Sequence, residues 1–300
     1  MIPDGLRAPG VAVVEDAPLA PRTTLKVGGP ARFLAEVADA GALAHVLRFA
    51  AAERLPVLTL GKGSNLLVPD AGFPGLVVVL AGAFREVRIE GPAVIAGGGV
   101  SLMTLAVAAR DAGLSGLENV SGIPSSVGGA VRINAGSYGS EIFDVLESVA
   151  LVSRHGDVRT VAAGEIAHGY RWTALCGTED VIAEARLHLS PKSPAEIAAR
   201  MAEVAAKRRA ALPKQPNAGS IFKNPEGRLA GRLLEECGMK GRKIGGAEVS
   251  TAHANVIVNT GGATAEDVKR LMEEMKNAVK EKFGIELQPE IQVVTAQGIS

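Results

Sequence analysis

Leu60-Gly61-Lys62-Gly63-Ser64-Asn65-Leu66-Leu67 follows directly on the apolar run Val57–Leu60, so a short strand ends in a turn of small residues. Such a turn leaves backbone N–H groups able to face a phosphate, with Ser64 and Asn65 as extra donors. It is not a Walker loop, because no Gly-Lys-Ser/Thr ending follows at the required spacing. Nor is it a dinucleotide fingerprint: the third glycine position holds Leu66, and Asp70, Gly72 and Pro74 deny it the following helix. An ordinary surface turn is the plain alternative. The neighbours of the turn set the fold class. Asp39 caps a helix predicted over Ala42–Arg54, with Leu43, Val46, Leu47 and Ala50 on one face and Pro56 closing it. The loop then runs to Pro74, and Leu76–Leu80 reads as a buried strand.

Further along, strands and helices keep interleaving, which reads as α/β or α+β. Glu86–Glu90 and Ala93–Ala96, joined by Gly91-Pro92, form a hairpin pattern. Ser101 is the expected N-cap of a helix over Leu102–Asp111 that Gly113 ends. Glycine-rich chain with little regular pattern fills Gly116–Gly139, and a loop this long inside a compact domain points to function. Val145–Ser153 and Val158–Val161 flank His155-Gly156-Asp157 as a second hairpin, and Val181–Leu189 is another strand. Ser193, Pro194 and Glu196 form a capping box that opens a helix reaching about Arg209. Pro213 and Pro216 then mark a domain boundary near residue 210. Beyond it come a helix at Arg228–Cys237, a strand at Asn255–Asn259, and a helix opened by Thr264 with Asp267 that runs to Phe283 before Gly284. Ile285–Val294 closes the pattern as an extended segment whose Pro289 suits an edge.

Composition bounds the function classes. Lys and Arg total 32 and Asp and Glu total 32, a balance that disfavours general nucleic-acid binding. Two cysteines, Cys176 and Cys237, make no disulfide framework, and no Cys/His cluster offers a metal site. No apolar run is long enough to span a bilayer, and Met1–Ala20 carries four charges without an apolar core, so a cytoplasmic protein without a membrane or nucleic-acid partner is expected. The chain has 36 glycines in 300 residues, well above the average usage of about 7%.

Four further stretches carry chemistry. Gly122-Ile123-Pro124-Ser125-Ser126-Val127-Gly128-Gly129, continuing through Asn134-Ala135-Gly136-Ser137-Tyr138, has backbone that can lie against a large flat ligand, or else packs two elements closely. Arg171, between Tyr170 and Trp172, reads alone as a surface residue or a cation–π contact. In Pro213-Lys214-Gln215-Pro216-Asn217-Ala218-Gly219-Ser220-Ile221-Phe222-Lys223-Asn224-Pro225 the small residues expose Ser220, while Lys223 and Asn224 suit an anion. Ser220 has no nucleophile elbow around it, which disfavours a serine hydrolase. Glu290, in an otherwise apolar terminal segment, points either to solvent or into a site, and His253 reads as structural.

Taken in order, beginning at Thr23-Thr24-Leu25-Lys26-Val27-Gly28-Gly29-Pro30-Ala31 and ending at Glu290, these blocks resemble the shorter type of UDP-N-acetylenolpyruvoylglucosamine reductase. The resemblance implies an α+β chain with an FAD-binding fold of the vanillyl-alcohol-oxidase type in two subdomains, 1–88 and 89–209. A C-terminal α/β substrate domain, 210–300, follows, whose last segment, 285–300, brings Glu290 to the active site. It implies that Gly61, Lys62, Gly63, Ser64, Asn65 and Leu66 cradle the pyrophosphate of non-covalent FAD. Gly122, Ile123, Pro124, Ser125, Ser126, Gly128 and Gly129 then line its rings, with Asn134, Ala135, Gly136 and Tyr138 close by.

The same resemblance makes Arg171, Ser220 and Glu290 the catalytic set, and Lys223, Asn224 and Lys214 the contacts of a nucleotide-sugar substrate. NADPH is the implied reductant, peptidoglycan precursor synthesis the setting, and a monomer the expected state. Ser220 is the implied proton donor and Arg171 the implied cation for developing carboxylate charge; Glu290 beside an anion requires a raised pKa. The family pattern places glycine after Ile-Pro where this chain has Ser125, so a positive φ there would strain the serine. An FAD-linked alcohol or sugar oxidase is the rival enzyme, although Ser220 and Glu290 serve no purpose in it. A non-catalytic flavin or nucleotide-sugar binder is the rival outside enzymology.

Overall fold

The computed structural model describes residues 1–299. Its residues gather into two compact units. The first comprises Met1–Glu15, Phe33–Lys62 and Gly75–Arg208; the second comprises Asp16–Arg32, Gly63–Pro74 and the chain from Arg209 onward.

The first unit holds two apolar cores. One forms where the helix Ala40–Ala52 lays Leu43, Val46, Leu47 and Ala50 against strand residues Phe33, Ala35, Leu76 and Val78. Asp39 caps that helix as expected, its carboxylate accepting from the Ala42 N–H at 2.9 Å. Val57–Thr59 runs parallel to Leu76–Val78, so the strand before the glycine turn sits beside the buried strand Phe73–Leu80. The other core lies under a five-stranded antiparallel sheet with the order Val158–Ala162, Leu146–Val152, Val181–His188, Ala93–Gly97, Val87–Glu90. Both hairpins read from the sequence are present in it. The helix Leu102–Asp111 begins at Ser101, whose hydroxyl accepts from Thr104 N–H at 3.0 Å.

The glycine-rich run is more regular than its sequence suggests. Val127–Arg132 is a short helix capped by Ser126 and buries Val127, Ala130 and Val131. Gly128 and Gly129 lower its intrinsic propensity by about 1 kcal/mol each, and burial of the three apolar residues overrides that. Ser125 is not among the residues with positive φ, so serine brings no backbone strain at that position.

The second unit is built on an antiparallel sheet ordered Asn217–Ser220, Val256–Asn259, Ala247–Val249, Lys243–Ile244. Against its core pack Val268, Leu271, Met272, Met275 and Val279 of the helix Ala265–Phe283. Thr264 and Asp267 form the expected capping box, and Gly284 closes the helix in the left-handed region. Leu25, Val27 and Leu67, from far upstream, join this core. Gln292–Thr295 pairs in parallel with Leu66–Leu67 and antiparallel with the strand at 298–299. Pro289 lies outside that ladder, in a single antiparallel bridge with Phe222.

Asp70 adds a second cap to the long helix: its carboxylate accepts from Ala265 N–H at 2.8 Å and Glu266 N–H at 3.1 Å. Asp70→Ala frees both donors and is expected to cost about 1–2 kcal/mol, read as a lower denaturation midpoint. An unchanged midpoint would mean that water satisfies both groups at no cost.

Candidate active site

In the first unit, Arg171 sits in the two-residue turn of a small hairpin, His168–Gly169 with Trp172–Thr173. Its φ is +54°, left-handed backbone that costs a non-glycine residue about 1 kcal/mol or more. The guanidinium is held from three sides. Nη2 donates to the Gly136 carbonyl at 2.5 Å, Nη1 stands 4.0 Å from Glu141 Oε1, and the carbon of the group lies 5.0 Å from the Tyr170 ring centre. Glu141 is itself held by Asn134, whose amide donates to Oε2 at 2.6 Å and to the Gly169 carbonyl at 3.2 Å.

Asn134, Tyr138 and Arg171 are three of the six non-glycine residues with positive φ among those described. Strained backbone therefore gathers around this cation, as it does where a site is preorganised. Asn134 is fully buried, so its amide acts as a strut for Glu141 and the hairpin. Tyr138 and Trp172 stay exposed.

Glu141 was not anticipated; only its place two residues after Gly139 could have hinted at it. Arg208, in Lys207-Arg208-Arg209 near a helix C-terminus, reads from the sequence as ordinary dipole complementation, yet it is partly buried. Burial pushes its pKa down, Tyr138 opposes that, and a Cβ on Gly122 would stand 2.6 Å from Arg208 Cδ.

The glycine turn has the properties a phosphate cradle needs. Among the described residues, no backbone N–H from Gly61 to Asn65 donates to a protein acceptor. A side chain at Gly61 would meet Ser126 Oγ at 2.3 Å, and one at Gly63, where φ is +59°, would meet the Arg22 carbonyl at 2.4 Å. Within the second unit, Thr24 N–H donates to Gly63 O at 3.0 Å and fixes the turn. Ser126 and Gly129 are committed to each other through a cap bond of 3.2 Å, and Ser125 Oγ donates to the Ser126 carbonyl.

Ser220 and Glu290 come together in the second unit. Asn217 pairs with Val258 and Ser220 with Val256, so the Ser220 strand holds one residue more than its partner. Gly219, at φ +76°, takes the bulge that re-aims Ser220. Beyond it Ile221 and Phe222 are buried, and Asn255 locks Phe222 from both sides by accepting its N–H at 3.0 Å and donating to its carbonyl at 2.8 Å. Glu290 N–H donates to the Ile221 carbonyl at 2.7 Å, so the residue after Ser220 is bonded directly to Glu290. Lys223 N–H reaches the Gln288 carbonyl at 2.9 Å, and Asn224 Oδ1 accepts from Ala230 N–H at 3.0 Å, capping the helix Ala230–Glu236. Lys214 is exposed.

His253 is structural, as expected: its Nδ1 accepts from Asn255 N–H at 3.2 Å and its ring lies against Gly231. Burial first, and Lys240 second, push its pKa below 6.5. A histidine with a lowered folded pKa costs nothing while neutral in both states; below pH 6.5 the unfolded chain takes the proton first and stability falls. His253→Gln is expected to flatten this acid-side loss in denaturation midpoints, and parallel profiles for the two proteins would refute the assignment.

Comparison with known proteins gives two family matches, the C-terminal domain of UDP-N-acetylenolpyruvoylglucosamine reductase over residues 212–294 and an FAD binding domain over residues 31–162. The chain is 43% identical to UDP-N-acetylenolpyruvoylglucosamine reductase 2 of Symbiobacterium thermophilum, over 96% of this chain and 94% of that protein. It is 44% identical to the reductase of Acidiphilium cryptum, over 93% and 90% respectively. The crystal structure of UDP-N-acetylenolpyruvylglucosamine reductase from Thermus caldophilus superposes with a TM-score of 0.81 at 40% identity, covering 94% of this chain and 98% of the other.

Proposed function

Because the chain belongs to the UDP-N-acetylenolpyruvoylglucosamine reductase family, we propose that Arg171, Ser220 and Glu290 carry its reductive chemistry, with Lys223, Asn224 and Lys214 at the substrate diphosphate. The fold is the FAD-binding fold of the vanillyl-alcohol-oxidase type with a C-terminal α/β domain. The activity is that of an FAD-dependent UDP-N-acetylmuramate dehydrogenase: NADPH-driven reduction of the enolpyruvyl ether of UDP-N-acetylglucosamine to UDP-N-acetylmuramate, in peptidoglycan precursor synthesis. FAD, when bound, supplies the hydride for the terminal alkene carbon.

The undonated N–H groups from Gly61 to Asn65, in a turn with no room for a Cβ at Gly61 or Gly63, suit a pyrophosphate. The Gly122–Gly129 segment and Asn134–Tyr138 belong to the same proposal as the lining of the flavin rings. Arg171 offers a planar cation to the substrate carboxylate, where charge accumulates as the alkene is reduced. Ser220 Oγ then delivers a proton to the carbon that bore the charge. Serine is a weak acid in water, so this role depends on placement, which the bulge at Gly219 and the anchored Ile221-Phe222 pair supply. Glu290 is held in register with it through the Ile221 carbonyl. That register is the observation that carries the reading of the catalytic set.

The proposal includes a cytoplasmic monomer. Its two free cysteines suit a reducing compartment, and light scattering checks the monomer. The activity is tested without oxygen: NADPH bleaches the oxidised-flavin absorbance, and the enolpyruvyl substrate is expected to restore it. Flavin that stays reduced after that addition would favour the oxidase or the binding protein.

A further inference from the structure

The first unexplained feature of the glycine turn is the direction of its asparagine. Asn65 Nδ2 donates to the Glu290 carbonyl at 3.0 Å, across 225 residues of sequence. Its own carbonyl accepts from Gln292 N–H at 3.0 Å. Asn65 thus brackets Glu290 by its side chain on one peptide and by its backbone two residues on, where Leu66–Leu67 begins its parallel pairing with Gln292–Val293.

Glu290 is consequently tied at both of its backbone polar groups. Its N–H goes to Ile221 O at 2.7 Å and its C=O receives Asn65 Nδ2. Fixing the peptide planes on either side of one residue fixes the direction of its Cα–Cβ bond, and so where its carboxyl can reach. Asn65 provides the second of these ties. Pro289, immediately before, cannot help, since it has no N–H to place in a ladder.

We infer that Asn65 is a positioning residue for Glu290: its amide aims the carboxyl for the substrate half of the reaction, and is not spent on the cofactor. The inference rests on the reading of Glu290 as catalytic. It also makes the turn bifunctional, with backbone donors of Gly61–Asn65 serving the anion while the Asn65 side chain serves the terminal segment.

The test is a double-mutant cycle on the FAD-loaded enzyme with Asn65→Ala, Glu290→Gln and the pair, read in kcat for the enolpyruvyl substrate and in flavin content. Asn65→Ala is expected to purify with FAD and to lose about tenfold to a hundredfold in kcat, the scale of a misplaced group. In the Glu290→Gln background it is expected to cost nothing further, because its target is gone. Asn65→Asp adds a pH readout: its carboxyl can donate to the Glu290 carbonyl only when protonated, so its kcat relative to Asn65→Ala should recover as pH falls. Should Asn65→Ala fail to fold, Asn65→Asp carries the same cycle. Losses that multiply in the double variant, or loss of FAD with Asn65→Ala, would overturn the positioning role. Full activity in Glu290→Gln would instead overturn the reading of Glu290, and this inference with it.

Discussion

Ser220→Ala is expected to retain bound FAD and its reduction by NADPH, while reoxidation by the enolpyruvyl substrate slows by about 10³-fold, within the range lost with a positioned general acid. The substitution removes one hydroxyl and nothing else that holds the strand. Ser220 keeps its pairing with Val256, the bulge at Gly219 is a matter of glycine φ, and Ile221-Phe222 remain anchored by Asn255. The denaturation midpoint should therefore match that of the parent. Stopped-flow absorbance without oxygen reads the two half-reactions separately. Equal slowing of both would point to a displaced flavin, and unimpaired reoxidation would move the proton donor to another group.

The sequence made some of this molecule legible and hid other parts for physical reasons. Helix ends were readable because caps are local: Asp39, Ser101 and the Thr264/Asp267 box each bond a backbone group three residues away. Gly284 was readable because a left-handed C-cap favours one residue type. The helix Val127–Arg132 was hidden by its two glycines, whose poor propensity is outweighed by burial against the rest of that core. Partners far apart in sequence were hidden altogether. Leu25, Val27 and Leu67 look like any apolar residues, yet they complete a core made chiefly by residues 218–291. Asn65 has the composition of a ligand donor and lends its side chain to the backbone of Glu290, 225 residues away. Asn134 reads as a ligand neighbour, and its further part as a buried strut for Glu141 is visible only in the fold. Arg171 and Ser220 could be named but not explained, since neither the strained turn nor the bulge is visible until the pairing of strands is known.

Arg171 permits its roles in stability and in chemistry to be pulled apart. At φ +54° the left-handed conformation penalises any side chain with a Cβ, whereas glycine adopts it freely. Arg171→Gly should thus be more stable than Arg171→Ala by about 1 kcal/mol, seen as a higher denaturation midpoint. Both variants lose the cation, so both should lose about 10²–10³-fold in the rate of substrate reduction, the scale of one preorganised electrostatic contact. Arg171→Lys retains a charge but not the planar fork that donates to Gly136 O while facing Glu141, and is expected to fall between these variants and the parent. The electrostatic role predicts that charge orders the rates, Arg above Lys above Gly and Ala together, and that φ orders the midpoints, Gly above Ala. Were the rates to follow the midpoints instead, with Gly faster than Ala, Arg171 would matter for the shape of its turn and not for its charge.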